Sequence, residues 1–528
     1  MAAKAPAFEA CGVRIEEDPV KGKVVFAERA FAAGEVIFSE QAFVYATWST
    51  AICDGCEEEK NQEDDEDAEP AECHCTRAGA PKEMYSKALT ADPTLRNETV
   101  EALSEMEGIA EVDRARCILK CLGMFERDPA SLQPVLDLTC ANMESCLEEA
   151  KQIREELPAI IPEGFTDEQL AKLIGALNTN SHELENLGGS GLFLSACRME
   201  HNCKPNCSFT TYDSELWMTA IRPIAAGEAL SIDYGNFFYR PTEERMSTLQ
   251  ESYGFICSCD GCVVEPDECR AFKCKGCTDG VVLPFPVKPA EPLTDPEQLK
   301  VEWKCKACGH KPSENECAEF EEVEAALLEN GMPETLEEMD EFLQTSPMHE
   351  RHYLLFWALD SIGCEAAALN AYVDDEDHRD ELAKVWQRLI KFMNVTVPYP
   401  HHEKTIYYDN LAQVEVILGN RNAAMEAYEK AYEVACIVSG TDCTPTKKLK
   451  ELAENPPADA EELRKVYGES KRPELAFHLE EGEWEDEEEI EEEEAEEEAK
   501  RPELAFHLEE GEWEDEEEIE EEEAEEEA

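Results

Sequence analysis

Three stretches decide how this chain of 528 residues is read: EHNCKPN from Glu200 to Asn206, GEALSIDYG from Gly227 to Gly235, and YGFICSCDGC from Tyr253 to Cys262. Cys257, Cys259 and Cys262 form a C-x-C-x2-C pattern just after a strand-like segment that ends at Tyr234. Three thiolates leave a tetrahedral zinc ion one ligand short. Cys203 is a candidate for the fourth, and spacing alone does not choose it over Cys207 or Cys269. The chain holds 24 Cys, many paired at short spacing, and its N-terminal MAAKAPAFEACGVRIEEDP has no hydrophobic signal core. An intracellular protein is therefore expected, whose cysteines bind metal rather than form disulfides.

Outward from these stretches the pattern alternates between strand-like and helical. VVFAERAFAAGEVIFSE, within residues 11–47, has β-branched and aromatic runs separated by a turn at Gly34 and Glu35. Residues 81–175 read as mostly helical, with CILKCLGMF and EQLAKLIGAL at helical spacing. Strand character returns from about residue 190 to 235 in GLFLSA, CSFTTY, LWMTAI and ALSIDYG. Cys274-x2-Cys277 and Cys305-x2-Cys308-Gly309 form two knuckles of a zinc-ribbon pattern, a closed structural site because four thiolates leave no position for water. Residues 319–440 are helical again. Tyr408, Leu411, Ala412, Ala424, Tyr428 and Ala431 fall at the spacing of one tetratricopeptide-type hairpin, or of an ordinary antiparallel helix pair.

The three opening stretches, in that order and spacing, resemble the SET domain of the SET-and-MYND (SMYD-like) protein-lysine methyltransferases. That family's hallmarks are an Asn-His-Ser-Cys-x-Pro-Asn segment, a Gly-Glu-x-Leu-x-Ile-x-Tyr segment and a post-SET Tyr-x-Phe-x-Cys-x-Cys-x2-Cys segment. The resemblance implies an α+β multidomain chain. Its SET β-fold, with a knot-like core, and its post-SET occupy 11–47 and 170–262, with a helical insertion at 81–169. A zinc-ribbon-like segment follows at 263–318, then a helical TPR-like domain at 319–465. The segments around His201 and Tyr234 would thread past each other, and Cys203 would join Cys257, Cys259 and Cys262 on one zinc. S-adenosylmethionine would be contacted by Lys21, Gly22, Lys23, Asn180, Glu200, His201, Tyr234 and Phe255. Tyr253 would align the substrate amine, with Tyr234 as channel wall, and the product would be a methylated lysine.

The chain departs from the family at three places. Val24 stands where a second turn glycine is usual, and Glu200 replaces the asparagine beside His201. A degenerate MYND-like insertion at 48–80 keeps only Cys53-x2-Cys56 and Cys73-His74-Cys75 as candidate ligands. Composition adds the partners. The formal charge is −75; residues 471–499 and 500–528 are identical, each with 16 acidic and 2 basic residues, and the remaining 470 residues still carry −47. So acidic a body lacks the basic stripe that phosphate neutralisation needs, so direct nucleic-acid binding is not expected. Histones or other basic proteins are the expected lysine substrates. Like-charge repulsion predicts a disordered acidic tail at 466–528. No apolar run reaches membrane-spanning length, and a monomer in the nucleus, the cytoplasm or both is expected. The substitutions at Val24 and Glu200 keep a second expectation open: a catalytically weak or inactive SET scaffold that binds basic proteins such as histones.

Overall fold

The computed structural model describes residues 8–18, 22–48, 84–106, 108–109, 111–184, 187–368 and 376–467. Lys21, Cys53, Cys56, Cys73, Cys75 and the acidic tandem repeat lie outside the described residues.

Among the described residues of the first half of the chain, ten short strands build four small sheets. β1 (Val13–Asp18) pairs antiparallel with β2 (Gly22–Ala27), and β3 (Val36–Gln41) pairs with β9 (Glu215–Ala220), which in turn pairs with β8 (Cys207–Tyr212). β4 (Val44–Thr47) and β5 (Ser181–Glu183) flank β6 (Gly189–Leu192). β7 (Glu200–His201) pairs with β10 (Ser231–Ile232) in parallel, matching Ser231 to Glu200 and Ile232 to His201. Val13, Val25, Phe38, Phe193, Leu216, Met218, Leu230 and Ile232 fill the core between them. The turn at Gly34 forms where expected, with φ +82°, a left-handed conformation that glycine adopts without Cβ strain.

Two expected strands are shorter than their sequence pattern. GLFLSA pairs only to Leu192, because the Ser195 and Ala196 amides turn away to the buried Glu40 carboxylate, at 2.9 and 3.3 Å. ALSIDYG bridges β2 at Ala229, pairs with β7 at Ser231 and Ile232, and stops there, because the Tyr234 amide donates to His201 Nδ1 at 3.2 Å instead of to a neighbouring strand.

The helical insertion packs on the β4–β6–β5 sheet through one shared core. Its last helix, Asp167–Asn180, starts at a reciprocal cap in which the Gln169 amide donates to Thr166 Oγ1 and the Thr166 amide to Gln169 Oε1. Leu170, Leu173, Ile174 and Leu177 recur at helical spacing on its buried face, each stabilising the fold by about 1.5–3 kcal/mol. β11 (Phe272–Lys273), β12 (Val281–Pro286) and β13 (Val301–Cys305) form the ribbon sheet. The helices that follow include His402–Ile417 and Arg421–Val438. Ala412, Ala424, Tyr428 and Ala431 are buried between them and the next helix, Thr444–Glu454, while Tyr408 and Leu411 pack alongside. The end of this region returns to the β-core: Ser439 Oγ lies 2.8 Å from Thr210 Oγ1 on β8. Among the described residues no helix is long and apolar enough to cross a membrane.

Candidate active site and metal centres

The parallel β7–β10 pair places the first two motifs side by side. The Asn202 amide donates to the Ile232 carbonyl at 2.9 Å. Asn206 locks the other end: its Nδ2 donates to the Ala229 carbonyl at 2.7 Å, while its Oδ1 accepts from the Ser231 amide at 2.8 Å. β2 is stitched to the same strand approach, through Ala27 N–H to Glu228 O at 2.9 Å and Leu230 N–H to Val25 O at 2.8 Å. Val24 is therefore an ordinary buried strand residue opposite Glu16, with Gly22 at the start of the strand and Lys23 exposed.

The third motif arrives by a helix and a sharp turn. The helix Thr242–Tyr253 buries Met246 and Leu249, and its first amide donates to Asp267 Oδ2 at 2.6 Å. Gly254 ends it with φ +75°, and the amide of Gly254 closes on the Gln250 carbonyl at 3.0 Å. The chain thus doubles back at Gly254, leaving Tyr253 on the helix and Phe255 at the head of the cysteine loop.

Around that loop the fourth thiol is that of Cys203. The sulfurs of Cys203, Cys257, Cys259 and Cys262 all lie within 4.8 Å of one another, with Cys203 3.9 Å from Cys257 and 3.4 Å from Cys262. Four thiolates at about 2.3 Å from a tetrahedral zinc stand about 3.8 Å apart, so the donor set fits that ion. Cys207 and Cys269 are engaged elsewhere, at Asn206 Oδ1 (3.4 Å) and Asp267 Oδ1 (3.0 Å). Cys274, Cys277, Cys305 and Cys308 form a second tetrathiolate group, also within 4.8 Å, as the ribbon pattern requires.

His201 joins the metal cluster to the motif core. Its Nδ1 accepts from the Tyr234 amide, so the ring proton of the neutral imidazole sits on Nε2, 3.2 Å from Cys203 Sγ. Burial pushes the His201 pKa down to about 4, which keeps the ring neutral at physiological pH. Around it stand Tyr234 (5.3 Å between ring centroids), Phe237 (6.0 Å) and Phe255 (6.0 Å). Tyr253 lies 4.9 Å from the Tyr234 ring. The Tyr234 hydroxyl donates to the Met199 carbonyl at 2.6 Å, and the Tyr253 hydroxyl to the Tyr234 carbonyl at 3.3 Å. Burial holds both phenols protonated, Tyr253 with its pKa pushed up to about 12. Glu200 sits half-buried beside Tyr234, whose phenol its charge also helps to keep protonated.

Asn180 is placed differently. Its side-chain amide donates to the Thr139 and Ala176 carbonyls, both at 2.8 Å, at the C-terminal end of its own helix. Several contributors carried no sequence signal of their own. Tyr399, from the C-terminal helical region, donates its hydroxyl to the Cys203 carbonyl at 3.2 Å, and Asn236 donates to Glu403 at 3.1 Å. Asp233 is a buried carboxylate whose Oδ1 has no hydrogen-bond partner, and burial raises its pKa to about 7. The Tyr399 and Asn236 contacts join residues too far apart in sequence for any spacing to reveal them, while Asp233 lies inside the second motif.

The SET-domain family model matches residues 22–235. The Homo sapiens protein-lysine N-trimethyltransferase SMYD5 is 35% identical over 126 residues, 23% of this chain and 28% of that protein. The Homo sapiens N-lysine methyltransferase SMYD2 is 33% identical over 108 residues, 19% of this chain and 24% of that protein. The Gallus gallus SMYD2 is 23% identical over 299 residues, 54% of this chain and 60% of that protein. The match thus spans 28% of the length of the human SMYD5 relative. The span matched by the SET-domain model holds the β7–β10 pair, with the cysteine loop closing on Cys203 behind it, and the chain is similar over part of its length to these SMYD proteins.

Proposed function

We propose that the chain transfers a methyl group from S-adenosylmethionine to the side-chain amine of a lysine in a basic protein. The observation that carries this reading is the aromatic cluster of Tyr234, Tyr253 and Phe255, fixed between the β7–β10 pair and the cysteine loop. The donor set suits a cofactor that carries both an ammonium and a sulfonium. The Glu200 carboxylate can accept from the former, and aromatic faces attract cationic centres. When bound, that cofactor supplies an electrophilic methyl carbon.

The chain's own residues then have three tasks. The aromatic walls exclude water and disfavour a charged lysine, whose free pKa is about 10.4, so that the amine enters neutral. Tyr253, a phenol that stays protonated, offers a fixed hydroxyl to orient that amine, since an in-line displacement requires a near-attack geometry. The thiolate cluster holds the loop that begins at Phe255, and zinc there would be structural, with four sulfur ligands.

The acidity of the body supports basic protein substrates, histones among them, and a nuclear or cytoplasmic site of action follows from that choice. A transfer assay with labelled cofactor on a panel of lysine-containing peptides and proteins tests the reading. Label should appear on lysine; a folded protein that labels nothing across a broad panel contradicts it. One observation favours a second reading, a scaffold without catalysis: the Asn180 amide is occupied by backbone carbonyls, and Glu200 can donate no amide hydrogen bond. That reading requires binding of basic proteins without methyl transfer, which the same panel detects by pull-down.

A further inference from the structure

We propose that Arg245 is a positioning residue of the post-SET loop, supplying the buried positive charge that balances the thiolate cluster of Cys203, Cys257, Cys259 and Cys262.

A zinc ion with four thiolates carries a net charge of −2, and a charge taken out of water needs a partner. Half of this cluster is buried, Cys257 at 3% and Cys262 at 0% exposed, and Cys203 and Cys259 are partly covered. Arg245, itself only 9% exposed, points its Nη2 at Cys262 Sγ, 3.7 Å away. Its other hydrogen bonds go to neutral acceptors, the Thr242 hydroxyl at 3.0 Å and the Arg240 carbonyl. Among the described residues no carboxylate forms an ion pair with it, whereas the nearby Arg240 is paired with Glu244. Asp267 and Asp233 act on this guanidinium from beyond ion-pair distance, so the thiolates, with Cys262 Sγ at 3.7 Å, are its nearest counter-charge. The neutral His201 adds a second donor, Nε2–H, at Cys203.

The placement has a mechanical result. Arg245 lies on the helix Thr242–Tyr253, and Cys262 lies on the far side of the reversal at Gly254. Their contact pins the returning loop to the helix, so the angle between Tyr253 and Phe255 is held from both sides. The ribbon cluster is an internal contrast. Its sulfurs accept from backbone amides, Gly276 to Cys274 at 3.2 Å and Cys308 to Cys305 at 3.5 Å, and Cys308 is exposed. Water screens that charge, and among the described residues no side-chain cation hydrogen-bonds to its sulfurs.

The test is zinc release from the full-length protein to a competing chromogenic chelator. The wild type should release in two phases, the exposed ribbon zinc first. Arg245→Gln should accelerate the slow phase by roughly 10–100-fold, the range found when a partner of a metal ligand is removed, and leave the fast phase unchanged. Arg245→Lys retains the charge but not the fork, and should fall between the two. Excess zinc should restore methyl transfer in both variants, as a general folding defect would not. A slow phase at the wild-type rate in either variant overturns the proposal, as does an equal acceleration of both phases. If the glutamine variant does not fold, the lysine variant decides alone. The consequence for transfer rests on the proposed methyltransferase reading, but the zinc measurement does not. A wild type that transfers no methyl therefore sinks that reading and leaves the Arg245 result standing.

Discussion

Replacing Tyr253 with phenylalanine removes one oxygen atom and keeps the ring packed 4.9 Å from Tyr234. The lost hydroxyl donates to the Tyr234 carbonyl at 3.3 Å. That is long for an O–H···O bond, so its net worth sits at the low end of about 0.5–1.5 kcal/mol. The melting temperature should therefore drop by less than about 1 °C in a protein of this size. Catalysis should respond on another scale. If the hydroxyl fixes the amine for in-line attack, removing one preorganised polar contact should slow single-turnover transfer by roughly 10²–10³-fold, or about 2.7–4 kcal/mol. Because burial pushes the Tyr253 pKa up to about 12, the hydroxyl is protonated at any ordinary assay pH, and the rate loss should not depend on pH there. The assay pairs single-turnover transfer of labelled methyl with calorimetric melting of the same sample. A variant within roughly threefold of the wild-type rate, less than about 1 kcal/mol in barrier, refutes the role given to Tyr253.

Three further outcomes follow from named contacts. Metal analysis should find at least two zinc ions per chain, one for each tetrathiolate group; Cys257→Ser should lose one with most of the transfer activity, and Cys308→Ser should lose one with activity retained. Gly254→Ala should cost about 1–2 kcal/mol in urea unfolding, purely from the left-handed φ of +75°, since no atom lies within 4 Å of the added Cβ; an unchanged midpoint contradicts that conformation. Asp233 has a folded pKa of about 7 against 3.8 in an ordinary carboxyl, so the native state binds its proton more tightly than the unfolded chain. Stability contributed by the protonated form is present below pH 3.8 and is lost as pH rises towards 7. Asp233→Asn should therefore gain about 2 kcal/mol on the wild type between pH 5 and pH 7.5, and nothing more above pH 8. A difference that does not change with pH contradicts the burial of that carboxylate.

Local chemistry was legible in the sequence, and the long-range contacts were not. The C-x-C-x2-C and paired C-x2-C patterns reveal thiolate clusters because their ligands are neighbours in the chain. The turn at Gly34 and the helix Asp167–Asn180 are likewise written in adjacent residues. Cys203 is different: nothing in its spacing separates it from Cys207, and only the parallel pairing of Glu200 with Ser231 and His201 with Ile232 carries it to the loop. The strand lengths were overread at Phe193 and Asp233 for a related reason. There the backbone amides leave the sheet for the Glu40 carboxylate and the His201 ring, partners 155 and 33 residues away. Arg245 and Tyr399 belong to the same class, as residues whose roles exist only once the helix reverses at Gly254 and the C-terminal region folds back on Cys203.

The most direct test of the central claim is isothermal titration of the full-length, zinc-replete protein with S-adenosylmethionine. Saturable binding at one site per chain is expected, weakened by Glu200→Ala and retained in Tyr253→Phe. A folded, zinc-loaded sample that binds no cofactor contradicts it.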